Sequence, residues 1–235
     1  QTSVTQWNYD EIPQIVEFAY QLGAKVCNLY FLVKTGRGRT VMDISPAQYE
    51  GMLSTLFELQ GKYRNKMIIA AKCAPHYKRV IYEQQSDSPF LQTYPSGTCP
   101  CGIYYCRITP EGDVTPCPFM PVSVGNLNEN SFVKLWNDSN VFHELRDRKL
   151  LEGKCGACEF GDVCGGCRAR AYAVNGSYLA EDPSCQYQPG QNGDRHVRFE
   201  KMTPFAAEPD YQLSWTDAAQ KRLKRVPSFA RGMVI

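Results

Sequence analysis

The sequence predicts an α/β chain: parallel β/α units first, then a small cysteine-rich stretch of short strands and helices, then a short helical tail. Three observations predict it. Apolar residues over positions 9–80 switch between helical and strand periodicity. Nine of the eleven cysteines fall between Cys99 and Cys185, four of them within "CGACEFGDVCGGC" at 155–167. A basic amphipathic stretch closes the chain.

Residues 9–22, "YDEIPQIVEFAYQL", put Ile12, Ile15, Val16, Phe18, Ala19 and Leu22 at helical spacing, with Asp10 as the cap and Gly23 at the end. "KVCNLYFLV" reads as a buried strand, and "KTGRGRT" as a glycine-punctuated loop at its C-terminal end. "SPAQYEGMLSTLFELQGKY" is a second helix, capped by Ser45, with Pro46 in its first turn and Gly61 at its end. "KMIIAAKC" is a second buried strand, followed by "APHYKRV". Helix–strand–helix–strand with loops of this size is the pattern of parallel β/α units. Near residue 85 the chain turns polar and turn-rich, in "EQQSDSPFLQTYPSGT". "YCRITPEGDVTPCPF" predicts a β-hairpin turning at Pro110-Glu111-Gly112. "SFVKLWNDSNVFHELRDRKLLEGK" supplies one or two amphipathic helices, and "CRARAYAVNGS" another. The expected divisions are 1–95, 96–190, a linker over 191–212 and a tail over 213–235, whose helix starts at Thr216 and is interrupted by Pro227.

With 235 residues, 43% of them hydrophobic, the chain is long enough for a real core. A net charge of +2 offers no global field for nucleic acid, so no such partner is expected. No apolar stretch reaches the roughly 18–20 residues that span a bilayer. The first residues lack the basic-then-apolar order of a secretory signal, so a cytoplasmic location is expected. They also lack Met and run straight into a helical pattern, so a longer parent protein is expected. In a reducing compartment, clustered cysteines mean metal more often than disulfides.

Cys27 and Cys73 sit in apolar strands and read as small buried hydrophobes. The candidate metal ligands are Cys99, Cys101, Cys106, Cys117, Cys155, Cys158, Cys164, Cys167 and Cys185. Zinc fits four thiolates, but its paired knuckles usually stand about 15–20 residues apart. Here five residues separate Cys158 from Cys164. Iron–sulfur clusters take four thiolates each, from short runs plus a remote cysteine. Nine thiols could hold two such clusters with one left over. Ligand habits favour iron–sulfur, and two zinc sites stay open at this point.

The order of features resembles a known family. Gly112 is followed by Asp-Val-Thr-Pro-Cys117; then come Cys155-x2-Cys158-x5-Cys164, a fourth cysteine at Cys167 and a lone Cys185. This is similar to the SPASM domain, the auxiliary-cluster extension of radical S-adenosylmethionine enzymes, over roughly residues 99–187. One spacing departs from the family pattern: Cys164-Gly-Gly-Cys167 is one residue short of Cys-x3-Cys, a form similar to the "CGGCRARAYA" of haem-biosynthesis members. The resemblance implies two auxiliary [4Fe-4S] clusters. Cys155, Cys158, Cys164 and Cys185 would hold the outer one. Cys117 and Cys167 would hold the inner one with one or two of Cys99, Cys101 and Cys106, a choice the sequence leaves open. An inner cluster with only three protein ligands, and so an open iron, is one of the alternatives.

The first 95 residues look like the last units of the partial (β/α) barrel that binds S-adenosylmethionine in these enzymes. By the resemblance the fold class is the C-terminal portion of that barrel, followed by a small α+β SPASM domain and a helical tail. Barrel ligands bind at the C-terminal ends of strands, where Gly36, Arg37, Gly38 and His76 fall. Gly36 and Gly38 would let backbone approach S-adenosylmethionine or substrate, and Arg37 could pair with a carboxylate. A tight turn with a solvated arginine, and a structural His76, are the plain alternatives. The tail resembles the end of the B subunit of light-independent protochlorophyllide reductase at Trp215, Ala218, Leu223, Val226, Pro227, Phe229, Arg231 and Gly232. Its basic run, Lys221, Arg222, Lys224 and Arg225, would meet propionates or an acidic partner, or simply face water.

Radical chemistry also needs a Cys-x3-Cys-x2-Cys motif, which these residues lack. The resemblance therefore implies the C-terminal part of an enzyme that takes hydrogen from a tetrapyrrole or peptide substrate, fed by ferredoxin or flavodoxin. An iron–sulfur electron carrier and a zinc-stabilised binding module are the other readings.

Overall fold

The computed structural model describes residues 1–92, 99–193, 196–198 and 216–225. It opens with a strand that periodicity did not show, β1 (Thr2–Val4). Three residues are too few to carry a period, and pairing with a neighbour makes this segment a strand. A 3-10 turn over Tyr9–Glu11 leads into α1 (Ile12–Gln21), with Pro13 in its first turn. Asp10 lies inside that turn and caps nothing, because the helix proper starts at Ile12, one residue later than a cap at Asp10 implies. α1 buries Ile12 and Val16, and Gly23 ends it.

β2 (Val26–Phe31) alternates cleanly: Cys27, Leu29 and Phe31 are buried, while Asn28 and Tyr30 are half-buried on the opposite face. That parity puts Phe31 against the helices and Tyr30 on the face that becomes a cavity. α2 (Pro46–Lys62) begins with a full capping box between Ser45 and Gln48. It runs one residue past Gly61, to Lys62. Its buried face, Tyr49, Met52, Leu53, Leu56 and Leu59, covers the sheet, and Gln60 donates to the Ile69 carbonyl at 2.6 Å. β3 (Ile68–Lys72) follows, then α3 (Tyr77–Gln84).

The three strands lie parallel in the order β1-β2-β3, with Thr2 opposite Leu29 and Cys27 opposite Ile69. Parallel strands need a crossover, and α1 or α2 supplies the length.

Beyond residue 99 the elements are short. β4 (Arg107–Ile108) and β5 (Asp113–Thr115) form the expected hairpin, and β6 (Gly125–Asn126) adds an antiparallel third strand. α4 (Phe132–Asp138), capped by Ser131, and α5 (Asn140–Arg146) are separate helices broken at Ser139. The five-residue α6 (Gly153–Ala157) and α7 (Arg168–Asn175) flank the cluster segment, and Gly176 closes α7.

This part packs on the sheet through a shared core: Val33, from just past β2, joins Cys101, Val114, Met120, Leu135, Phe142, Leu145, Cys167 and Ala169. Residues 1–198 form one compact unit, and 199–235 are grouped separately. In the second group α8 (Asp217–Leu223) starts on Thr216, whose hydroxyl accepts from the Ala219 N–H. Trp215, Val226, Pro227, Phe229, Arg231 and Gly232 lie outside the described residues, as does most of the expected linker. Among the described residues no helix is long and apolar enough to cross a membrane.

Candidate metal centres

The nine candidate thiols separate into two groups and one outlier. Cys155, Cys158, Cys164 and Cys185 line one cavity, together with His76, Arg79, Lys154 and Asp182. Cys99, Cys101, Cys117 and Cys167 line another, together with Cys73, Tyr30, Lys72, Tyr105 and Phe119. Cys106 lines neither; it packs half-buried against the apolar core.

The split runs through "CGGC". Gly165 and Gly166 both take left-handed backbone, at φ of +63° and +64°. Two such residues in succession turn the chain so that Cys164 faces the first cavity and Cys167 the second. Gly166 also has no room for a side chain. A Cβ there would stand 2.6 Å from Arg168 Nη2, 2.8 Å from Asp182 Cβ and 3.1 Å from Cys155 Sγ.

Buried charge surrounds both groups. Arg168 is 1% exposed; its Nη1 donates to the Tyr178 and Ala180 carbonyls, and its Nη2 reaches Cys155 Sγ at 3.5 Å. Asp182, fully buried, accepts from the Cys167 N–H at 2.6 Å, from Arg170 Nη1 at 2.9 Å and from the Ser184 N–H at 3.0 Å, and lies 3.4 Å from His76 Nε2. Burial works to raise its carboxyl, but Arg170 and the backbone N–H groups of Cys167 and Ser184 hold the pKa below the ordinary value. Arg170 also donates to the Leu32 carbonyl at 3.2 Å and the Cys73 carbonyl at 2.8 Å, so one side chain ties α7 to the ends of β2 and β3. His76 is held neutral, its pKa pushed down to about 4 by burial. It is a wall of the outer cavity.

The thiols themselves are mostly discouraged from ionising. Burial lifts Cys158 to about 11 and Cys185 to about 12, and also raises Cys164 well above the ordinary thiol value. In the inner group the thiols interact directly. Hydrogen bonds from Cys101 and Cys167 hold Cys99 well below the ordinary thiol value, and Cys101, bonded to Cys117 and Cys99, is raised. A bound metal reverses such shifts by deprotonating its thiols.

Do these residues fit a metal cluster? The donor chemistry does: each cavity gathers four thiols, the complement of a four-iron cluster. One orphaned group fits as well. Arg148 Nη1 and Nη2 are buried without a hydrogen-bond partner, within electrostatic reach of Cys99 and Cys164, one from each group. Buried donors of that kind call for an anionic acceptor, and a thiolate-bound cluster is one. The cavities differ in size. The inner one holds about 330 Å³ and the outer one about 20 Å³. Among the described residues no three His, Cys, Asp or Glu side chains stand at single-ion spacing.

Residues 99–159 match the family model for an iron–sulfur cluster-binding domain, SPASM. Over those residues the chain is similar to a SPASM domain. Its cluster segment runs on past the matched region to Cys164, Cys167 and Cys185. The chain is similar to AdoMet-dependent heme synthases and to a PqqA peptide cyclase. It is 42% identical to the AdoMet-dependent heme synthase of Methanosarcina barkeri (strain Fusaro), over 81% of this chain and 56% of that one. It is 29% identical to the PqqA peptide cyclase of Rhizobium meliloti, over 77% of this chain and 47% of that one. The chain spans about half the length of the curated relatives it matches. Its fold is similar to the crystal structure of Streptococcus suis SuiB, with a TM-score of 0.56, 17% identity and coverage of 79% of this chain and 45% of that one. The α/β class, a partial barrel joined to a SPASM domain, follows from this likeness and from the sheet.

Gly36, Arg37 and Gly38 lie elsewhere. They form a 3-10 turn over Gly36–Thr40 after β2, with Gly36 and Arg37 exposed. They line neither cysteine cavity. Cys73 is the reverse case. It reads in sequence as a small strand hydrophobe, yet it stands just past β3 with left-handed backbone, in the wall of the inner cavity. Its odd backbone is set by tertiary contacts, so no sequence signal marks it.

Proposed function

We propose that this chain is the C-terminal part of a radical S-adenosylmethionine enzyme. In this reading Cys155, Cys158, Cys164 and Cys185 hold an outer auxiliary [4Fe-4S] cluster, and Cys99, Cys101, Cys117 and Cys167 an inner one. The observation that supports it best is the gathering of eight thiols from distant positions into two groups of four. When bound, such clusters supply one-electron chemistry, here taking up the electron left after hydrogen abstraction by a 5′-deoxyadenosyl radical.

The chain's own residues do the rest. Arg148 and Arg168 offer buried donors to the negative charge beside Cys99, Cys164 and Cys155. Asp182 and Arg170 hold the Cys167 backbone against the strand ends. The inner cavity is the roomier one and carries aromatic faces, Tyr30, Tyr105 and Phe119, with one cation, Lys72. Flat aromatic walls with a carboxylate-binding ammonium suit a tetrapyrrole that bears propionates. The AdoMet-dependent heme synthases among the relatives favour the same substrate class. A peptide substrate is the second reading, favoured by the likeness to PqqA peptide cyclase. Gly36, Arg37 and Gly38 are assigned to the S-adenosylmethionine or substrate vicinity on their place after β2 alone. Ferredoxin or flavodoxin is the assigned electron donor, in the cytoplasm.

Iron, acid-labile sulfide and zinc, measured on anaerobically reconstituted chain with an electron-paramagnetic-resonance spectrum after reduction, test the reading. About eight irons and eight sulfides per chain are expected for two four-iron clusters. Zinc without sulfide would make the thiols structural and end the proposal.

A further inference from the structure

Four thiols satisfy a four-iron cluster, and the inner cavity presents five. The fifth is Cys73. It comes from the strand side, 26 residues before Cys99, while the others come from the SPASM side. Its backbone takes φ +57°, one of two positive-φ residues other than glycine among those described. That conformation costs a residue with a Cβ about 1–2 kcal/mol. Two side chains hold it there through its carbonyl: Tyr49 Oη donates at 3.2 Å and Arg170 Nη2 at 2.8 Å. The thiol lies in electrostatic reach of Cys117 and Cys99, and Cys167 in reach of it. Cys27 shows what a plain core cysteine looks like here: 4% exposed, in regular strand, facing no cavity thiol.

Among the other four, Cys101 is the replaceable one. Cys99, Cys117 and Cys167 come from separate places in the chain, but Cys101 stands only two positions after Cys99. Usual cluster runs leave at least two residues between ligands. One residue leaves Cys99 and Cys101 crowded at neighbouring irons.

We propose that Cys73 is a ligand of the inner centre and shares one iron position with Cys101. The inference rests on the reading of the two thiol groups as cluster sites. A position with two thiols can be vacated by either without loss of the cluster. The barrel-side wall, Cys73 with Tyr30, Lys72 and Pro75, could thus open toward a substrate while Cys101 keeps the iron.

The test uses reconstituted full chain as parent and as Cys73→Ala, Cys101→Ala, the double variant, and Cys106→Ala as control. The inner-cluster resonance is identified as the signal lost in Cys117→Ala. Each single variant at Cys73 or Cys101 should keep that signal's intensity with shifted g values. The double variant should lose at least threefold in intensity, and Cys106→Ala should match the parent. A parental spectrum in Cys73→Ala, or a loss in Cys101→Ala as deep as in the double variant, overturns the inference alone. A parent chain with no second cluster overturns the site reading beneath it. A further measurement needs no substitution. In loaded chain Cys73 should react with an alkylating agent at least threefold more slowly than after iron is chelated away, as read by mass spectrometry. Equal alkylation rates for Cys73 in loaded and chelated chain would also overturn the proposal.

Discussion

Cys164 and Cys167 are separated by two glycines, yet their side chains line different cavities. The left-handed backbone of Gly165 and Gly166 produces that divergence, and it lets one short segment reach two cavities. The pair Cys164–Cys167 is one residue shorter than the family spacing, and two consecutive left-handed residues are how the shorter link still turns the chain.

Alanine at these glycines should separate backbone strain from crowding. Either substitution meets a left-handed penalty of about 1–2 kcal/mol. At Gly165 the nearest atom is Arg148 Nη1, the far end of a flexible side chain, which can move. At Gly166 the new Cβ also meets Asp182 Cβ, which cannot. Gly166→Ala should therefore lower the melting temperature more than Gly165→Ala and lose more iron on reconstitution. Equal losses would place the effect in the backbone alone.

Asp182→Asn should be strongly destabilising. The substitution leaves Arg170, 3% exposed, without its carboxylate and replaces one acceptor of the Cys167 N–H by a weaker one. Breaking a buried ion pair on one side costs about 3–5 kcal/mol. A denaturant melt should show a loss of this order, with Asp182→Glu no better because the site has no spare volume.

Stability of the metal-free chain should fall between pH 6.5 and 4. His76 is neutral in the fold, its pKa pushed down to about 4 by burial, against about 6.5 in an unfolded chain. Over that interval the unfolded chain binds a proton that the folded chain refuses. Stability is thus full above the unfolded value and is lost as pH falls toward the folded one, by about 3 kcal/mol. Urea midpoints at pH 7.5 and 5 measure it. His76→Gln should flatten the profile over this interval.

Arg148→Met should act in opposite directions on the empty and loaded chain. Without metal, two buried donors lack partners, and removing them should stabilise by about 1–3 kcal/mol. With clusters in place, losing a cation near Cys99 and Cys164 should make reduction harder, by about 60 mV for each 1.4 kcal/mol of lost interaction. A redox titration and a thermal melt of the same variant check both signs.

Much of the fold was legible because it rests on local rules. Ser45 and Gln48 form the capping box their spacing announces, and the hairpin turns at Pro110-Glu111-Gly112. β1 was not legible, because three residues become a strand only beside Leu29, Tyr30 and Phe31. Asp10 was misread as a cap, since a 3-10 turn occupies its position.

For the site, sequence alone determined the kind of chemistry: nine cysteines, their order and the glycines among them. Spacing limits which thiols can meet within a short run, so the "CGACEFGDVCGGC" segment was readable as a metal-binding loop. The family resemblance already grouped Cys185 with Cys155, Cys158 and Cys164, and only the tertiary structure decided the inner set. It set Cys101 rather than Cys106 beside Cys99 and Cys117, and delivered Cys73 from a strand end. Those meetings join residues dozens of positions apart. Their geometry comes from core packing and from buried side chains such as Arg170 and Asp182, whose partners no local pattern records.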